Sequence, residues 1–207
     1  MDRHILLINP WIYDFSAYDL WYKPLGLLSL ASLLRIHGVH ITFIDCLDSD
    51  DPAMRHEPHI TMPKRKPSGE GSYAAERIPK PPPLKSVPRN FHRYGMTPRA
   101  FQNALKAISR PDLIMITSMM TYWYPGLFET VSLVKTTYPA VPVVLGGNYV
   151  TLCPQHAPLS GADFCLPGPG ESSLPPLLND LLRMNMPLLP DEQNLDSYPY
   201  PAFDLIR

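Results

Sequence analysis

Two loops of this sequence carry side chains that could hold a flat organic ligand. The segment NPWIYDFSAYDLWYK at 9–23 follows one apolar run, and SMMTYWYPG at 118–126 follows another. Aromatic rings offer an apolar wall to a ring system, and hydroxyl groups can hydrogen-bond its heteroatoms. The same rings could instead pack on one another or on a partner domain, and the hydroxyls could cap the next helix. The candidate ligand contacts in these loops are Asn9, Trp11, Ser118, Met119 and Thr121.

A third loop begins with two glycines, in PVVLGGNYVTLCP at 142–154. Glycine at the end of a strand serves a turn with positive φ, or lets another group approach the backbone closely. The pair could therefore admit a planar group, or simply form a tight turn. With the glycine-rich stretch GADFCLPGPGE at 161–171, this loop adds five candidate contacts, Gly146, Gly147, Tyr149, Thr151 and Gly168. Neither GxGxxG after the first strand nor GxxxxGK[ST] is present, so no motif supports a dinucleotide or P-loop site.

The elements that position these loops alternate along the chain. Short apolar runs predict strands over 4–9, 39–46, 112–117, 141–145 and 163–166. Helical spacing and caps predict helices over 24–37, from Thr97 through Ile108, over 124–138 and over 171–184, with Pro175 and Pro176 in the opening turn of the last one. The pattern predicts an α/β fold with a doubly wound, mainly parallel five-stranded sheet, flavodoxin-like or Rossmann-like, in the strand order 2-1-3-4-5. The loops after strands 1, 3 and 4 then meet at the switch point, where such sheets bind ligands.

Residues 48–97 interrupt this alternation. They contain nine of the 26 prolines and nine of the 18 basic residues, without sustained periodicity. Such a long segment is usually functional or disordered, and we predict a Pro-rich insertion that runs over the surface. The expected organisation is one α/β domain over 1–185 with this insertion, followed by a linker at 186–207.

Composition narrows the partners of the chain. Its formal net charge is −1 over 207 residues, which predicts neither nucleic acid nor a membrane surface as a partner. The three cysteines, Cys46, Cys153 and Cys165, are scattered and odd in number, which favours a reducing, cytoplasmic location over a disulfide framework. The sequence contains no recognisable histidine cluster and no nucleophile–base set, so nothing in it predicts that this chain alone is catalytic. We propose no metal ligands.

Taken in order, five segments resemble the N-terminal cobalamin-binding domain of radical S-adenosylmethionine enzymes. They are the INP strand end, KPLGLLSLASLLRIHGVHITFID, PDLIMITSMMTYWYPG, VPVVLGGNYVTLCPQHA and GADFCLPGPGE. The resemblance covers most of the chain. It implies a Rossmann-like domain that holds a corrinoid at the carboxyl edge of its sheet, with the nucleotide tail beside strands 3 and 4. Ser118 stands at the family's serine, Gly146 and Gly147 at its double glycine, and Thr151 at its threonine.

Two departures from related domains qualify what the resemblance implies. Cobalamin domains of methionine synthase and the mutases carry Asp-x-His-x-x-Gly after strand 1, whereas residues 10–23 contain no histidine. Radical enzymes also hold a 4Fe–4S cluster through CxxxCxxC, and no cysteine follows Cys165. The cluster and the S-adenosylmethionine site are therefore expected in a C-terminal radical domain that this chain lacks and would pair with. The alternative is a cofactor-free docking domain that keeps the fold.

Overall fold

The computed structural model describes residues 3–187 and 195–206. Its strands are β1 (His4–Asn9), β2 (Ile12–Asp14), β3 (Tyr18–Asp19), β4 (His40–Asp45), β5 (Gly71–Ser72), β6 (Ala75–Ile78), β7 (Phe91–Tyr94), β8 (Leu113–Thr117), β9 (Val143–Gly146) and β10 (Phe164–Cys165). Its α-helices are α1 (Leu25–Ile36), α2 (Pro98–Ala107), α3 (Tyr124–Thr137), α4 (Asn148–Leu152) and α5 (Gly170–Leu182).

The main sheet has five strands in the order β10-β9-β8-β1-β4. Every pair with a defined register in this sheet, from β1 with β4 to β10 with β9, is parallel. Counted along this sheet alone, the order is 2-1-3-4-5, so the predicted doubly wound α/β fold is confirmed. Helices α1 and α5 cover one face, where Ile5 and Leu7 are buried, while α2 and α3 cover the other, where Leu6 and Ile8 are buried. The alternation along β1 reflects the two-residue period of a strand.

Local signals in the sequence set several element ends. Gly38, at φ 77°, follows α1, and its N–H donates to the carbonyl of Arg35 while the N–H of Val39 donates to that of Leu34. This is a Schellman motif, which a left-handed glycine makes possible. Thr97 caps α2 as predicted, because its hydroxyl accepts a hydrogen bond from the N–H of Ala100 at 3.0 Å.

Helix α5 differs from its prediction. It begins at Gly170, so Pro175 and Pro176 lie beyond the opening turn, inside the helix. Two proline residues remove two N–H donors from the helical ladder. Leu174, Pro175, Leu178 and Leu182 are buried against the α1 face of the sheet, and this apolar packing keeps the segment helical despite the lost donors.

Residues 48–97 contain short strands where the sequence predicted no regular structure. β6 pairs with β7, β7 pairs with β2 from the first loop, and β5 pairs with β3, all antiparallel. Met54 and Ala74 are buried in the same core cluster as Trp11, and Tyr73 is buried in a smaller cluster with Ile12. Part of the insertion therefore packs into the core of the domain rather than only crossing the surface. Strands of two to four residues whose partners lie far along the chain leave too short a periodic signal for sequence analysis.

The last described segment packs along α1. The N–H of Ala202 donates to the carbonyl of Leu28, the hydroxyl of Ser32 donates to that of Tyr200, and Arg35 pairs with Asp204. The linker predicted at 186–207 remains a prediction, and residues 188–194 and 207 within it lie outside the described residues. Over 3–187 and 195–206, no helix is long and apolar enough to span a membrane.

Candidate functional site

The carboxyl ends of β1, β8 and β9 meet at one edge of the main sheet. The register pairs Thr117, at the end of β8, with Gly146, at the end of β9, and Ile8 with Ile116. The strand order reverses between β1 and β8, so this edge contains the switch point. The three loops predicted to carry a ligand site therefore leave the sheet side by side.

A cleft of about 360 Å³ opens at this edge, between α1 and α5. Its floor is formed by Met115 and Val144 from β8 and β9, both buried. Leu27, Leu30 and Leu174 form apolar walls, and the lining also includes polar side chains, Thr117, Asn148, Thr151 and Glu171. An apolar cavity with a few polar groups at its border is the usual form of a small-molecule site.

Two glycines leave bare backbone facing free space in this cleft. A Cβ atom built on Gly146 would meet no heavy atom within 4 Å, and the same holds for Gly26 in the first turn of α1. Both residues line the cleft, one from the β9 end and the other from the opposite helix. A side chain at either position would project into space that a planar ligand could fill.

Gly147 has a different role from its neighbour. Its φ is 93° and its ψ is −177°, a combination that is essentially restricted to glycine. A Cβ there would lie 2.5 Å from the carbonyl oxygen of Ser118 and 2.8 Å from the hydroxyl of Thr117. The first glycine of the pair therefore leaves the cleft open, whereas the second lets the turn after β9 pack against the end of β8.

Thr151 ties the two glycine-containing loops together. Its hydroxyl accepts a hydrogen bond from the N–H of Gly168 at 2.9 Å and donates one to the carbonyl of Gly147 at 3.2 Å. A close approach of the two helices narrows the cleft, because a Cβ on Gly170 would lie 2.7 Å from a methyl carbon of Leu30. Of the ten predicted site residues, four line the cleft, Gly146, Gly147, Thr151 and Gly168.

Four other predicted residues surround a much smaller void at the end of β1. Asn9, Trp11, Ser118 and Met119 line a space of about 10 Å³, enough for at most one water molecule. The amide of Asn9 donates to Asp45 at 2.7 Å, and the indole of Trp11, fully buried, packs edge-on against Phe101 with centroids 5.3 Å apart. Thr121 begins the 3-10 turn Thr121–Trp123 that precedes α3.

Tyr149 lies in the core on the opposite face of the sheet. It is buried against α3, and its hydroxyl shares a hydrogen bond with Nδ1 of His156. Burial raises the pKa of this phenol to about 12. The ring of His156 also packs against Tyr124 and Phe128, so this histidine belongs to an aromatic cluster rather than to the cleft.

The aromatic loops divide into a packed part and an exposed part. Trp123 donates its indole N–H to Asp14 at 2.9 Å, and Tyr13 donates its hydroxyl to Glu129. Burial and this carboxylate raise the pKa of Tyr13 to about 12. In contrast, Trp21 and Tyr22 are exposed, close in sequence to the start of α1. Packing of the aromatic residues on the protein itself therefore describes the first group, and a wall for a ligand stays a prediction for the exposed group.

One family model matches part of the chain at this edge. Residues 93–178 match the family model of the B12 binding domain. The matched span runs from β7 into α5 and includes β8, β9 and the glycine-containing loops, while β1 and α1 lie outside it. No curated protein matches the chain. The matched residues and the flavodoxin-like sheet make part of this chain similar to a B12 binding domain.

The residues of the cleft fit part of such a cofactor. The bare backbone at Gly26 and Gly146 and the apolar floor suit the flat heterocycle of a nucleotide tail, and the hydroxyl of Thr117 offers a hydrogen bond nearby. Sequence reasoning missed the α1 wall and the floor, namely Gly26, Leu27, Leu30, Met115 and Val144. The glycine in the first turn of a leucine-rich helix was the available signal, since glycine weakens a helix unless something requires it.

Proposed function

We propose that this chain is a cofactor-carrying module that binds cobalamin at the carboxyl edge of its main sheet. The nucleotide tail would lie in the cleft between α1, α5 and the ends of β8 and β9. The observation that carries the proposal is the open backbone at Gly26 and Gly146, which both line an apolar cleft. The match of residues 93–178 to the B12 binding domain supports it. A cofactor-free docking domain would have no need to keep this cleft open.

When bound, cobalamin supplies the reactive cobalt–carbon chemistry, and the protein's part is to bind and orient it. Met115 and Val144 exclude water from beneath the tail, and Leu27, Leu30 and Leu174 enclose its sides. The hydrogen bonds of Thr151 to Gly147 and Gly168 hold the two loops at the mouth in fixed positions. Because the segment 10–23 contains no histidine, we expect no imidazole from this loop on the cobalt.

Titration of the purified chain with hydroxocobalamin, followed by visible absorbance and calorimetry, tests the proposal. We expect saturable binding of one equivalent. Gly146→Phe should weaken it at least about 10-fold, because the new ring fills the cleft, and Gly26→Phe should do the same from the opposite wall. Asn103→Phe, on the exposed side of α2, is the matched control and should bind as the parent does.

Two results would count against this assignment. Unchanged affinity in both glycine variants would mean that the nucleotide tail does not bind in the cleft. If the unsubstituted chain binds no cobalamin, the alternative of a cofactor-free docking domain is favoured. A separate measurement tests whether a protein nitrogen binds the cobalt. We expect the electron paramagnetic resonance spectrum of the bound cob(II) form to stay the same when the protein is labelled with ¹⁵N. A change in the nitrogen splitting would indicate a protein nitrogen on the metal.

We further propose that the parent enzyme is a radical S-adenosylmethionine enzyme, with its 4Fe–4S cluster in a separate catalytic domain that contacts this module. The support is the ordered set of sequence segments that resembles such enzymes, and a cytoplasmic location would suit an oxygen-sensitive cluster. Anaerobic purification of the natural protein should give iron, sulfide and the broad visible absorbance of a cluster. If the natural protein carries cobalamin but no iron, the proposal of a radical S-adenosylmethionine enzyme is wrong, while the proposal of a cobalamin-binding module still stands.

A further inference from the structure

A group of apolar side chains is exposed beside the start of α1. Tyr18, Leu20, Trp21, Tyr22 and Leu25, called here the aromatic platform, are all exposed, and Trp21 has 61% of its surface accessible. The other two tryptophans are packed, with Trp11 fully buried and Trp123 half-buried. Several large apolar side chains exposed within eight residues of chain are a reason to look for a binding surface.

The backbone at Trp21 is held in an unusual conformation. Its φ is 60°, in the left-handed region that residues other than glycine rarely adopt. Its indole N–H donates to the carbonyl of Ser68 at 2.9 Å, and Gly69, at φ 94°, passes next to the same ring. The exposed ring is therefore fixed by the insertion rather than free to move with the loop. Strain of this kind persists only where the surroundings enforce it, and it is concentrated at functional sites.

An ion pair between a buried carboxylate and a partly exposed guanidinium holds the platform to the insertion. Asp19 is almost fully buried, and its carboxylate accepts from Arg65 at 3.0 Å and from the N–H of Tyr22 at 3.0 Å. Arg65 also donates to the carbonyl of Gly69 at 2.7 Å. The pairing of β3 with β5 adds hydrogen bonds beneath these side chains. One guanidinium thus fixes both the loop that carries Trp21 and the segment that contacts its ring.

The platform leads directly into the cleft. Leu25 precedes Gly26, which lines the cleft, and Trp21 lies five residues before that glycine. Five residues span at most roughly 18 Å, so the indole lies within reach of a ligand anchored in the cleft. The cleft holds about 360 Å³, which suits a nucleotide tail but not a corrin ring as well. A cobalamin bound by its tail must therefore rest its macrocycle on a surface outside the cleft.

We propose that the aromatic platform is that surface, with the indole of Trp21 lying against the macrocycle and the Asp19–Arg65 pair as positioning residues. The inference rests on the proposed function and extends it to the insertion, whose segment 64–71 then serves to present the indole. It also gives the loop after β1 a contact with the cofactor that requires no histidine.

Fluorine NMR of the chain labelled with 5-fluorotryptophan tests the contact. Three signals are expected, and the Trp21→Phe variant assigns the one of interest. In the free chain, the Trp21 signal should shift between H₂O and D₂O because the ring is exposed, and hydroxocobalamin should abolish that shift while the Trp11 signal remains insensitive. Saturable binding that leaves the Trp21 signal solvent-sensitive would overturn the inference and leave the proposed function standing. No binding at all would overturn both.

Affinity measurements test the positioning role. Trp21→Ala should weaken cobalamin binding roughly 10-fold, Trp21→Phe should stay within about threefold, and Leu159→Ala, at another exposed apolar side chain, should have no effect. Arg65→Gln should weaken binding in the parent but not in the Trp21→Ala background, since a residue that acts through the indole loses its effect when the indole is absent. An equal loss in both backgrounds would overturn the positioning role. Thermal melts of each variant identify any that fail to fold.

Discussion

The two halves of the carboxyl edge of the main sheet are built in opposite ways. At the ends of β8 and β9, glycine backbone and an apolar floor leave a cleft of about 360 Å³. At the ends of β1 and β4, the chain closes over itself, because Asn9 pairs with Asp45 and the N–H of Met96 donates to the carbonyl of Cys46. The remaining void there measures about 10 Å³.

This difference shows how an insertion can close one half of a sheet edge and leave the other half open. A doubly wound sheet offers the ends of its central strands to a ligand, and here the insertion occupies the β1–β4 half. Gly95, at φ 103°, lets the returning chain come close to β4, since a Cβ there would lie 2.3 Å from the carbonyl of Cys46. The open space at this edge therefore lies in the β8–β9 half, where we propose that the ligand binds.

The largest effect should come from opening the closed half. Trp11→Ala removes a fully buried indole and should lower the free energy of unfolding by about 3–5 kcal/mol. Trp21→Ala makes the same change at an exposed position and should cost less than about 1 kcal/mol. Chemical denaturation of both variants gives the comparison. Similar losses at the two sites would mean that the β1 end is not the packed half that the geometry indicates.

A smaller effect should separate the two glycines at the boundary between the halves. Gly147→Ala must adopt a conformation that suits only glycine, next to a carbonyl oxygen, and should destabilise the fold by about 2–3 kcal/mol. Gly146→Ala meets free space and should change stability by less than about 1 kcal/mol. Equal costs in thermal or denaturant unfolding would show that the pair acts as one turn rather than as two sites with separate roles.

The main sheet could be predicted from the sequence because its signals are local. The apolar run 4–9 predicts β1 with its observed ends, and Gly38 and Thr97 mark a helix end and a helix start. The insertion could not be predicted in this way. β2 pairs with β7 across almost 80 residues of chain, and strands of three or four residues carry almost no periodicity. Pairing of that kind depends on the tertiary fold.

The candidate site was predicted in part, for a similar reason. The double glycine identified the correct strand end, but the sequence could not assign different roles to Gly146 and Gly147, because the role of Gly147 depends on the position of Ser118. Trp11 and Trp21 belong to one aromatic loop and have similar local sequence features. Their burial differs because Trp11 follows β1 into the core, whereas the indole of Trp21 donates to the carbonyl of Ser68 in the insertion.

The smallest predicted effect concerns the acid that closes the β1–β4 half. Burial raises the pKa of Asp45, an effect only partly offset by the hydrogen bonds that its Oδ1 accepts from Asn9 at 2.7 Å and from the N–H of Leu47 at 3.0 Å. The folded chain therefore holds this proton at pH values where the unfolded chain has released it. Stability should fall as the pH rises from about 4, the ordinary value for an aspartate, to the raised pKa of the folded state.

Asp45→Asn isolates this contribution, since an amide oxygen can accept the same two hydrogen bonds and does not ionise. The difference in unfolding free energy between the variant and the parent should be smallest near pH 4 and should increase in favour of the variant as the pH rises. Subtraction removes the titration of every other group, provided that the two proteins fold alike. A difference that stays flat with pH would mean that the Asp45 carboxylate is as well solvated as in the unfolded chain, and that the β1–β4 half is open to water at this position.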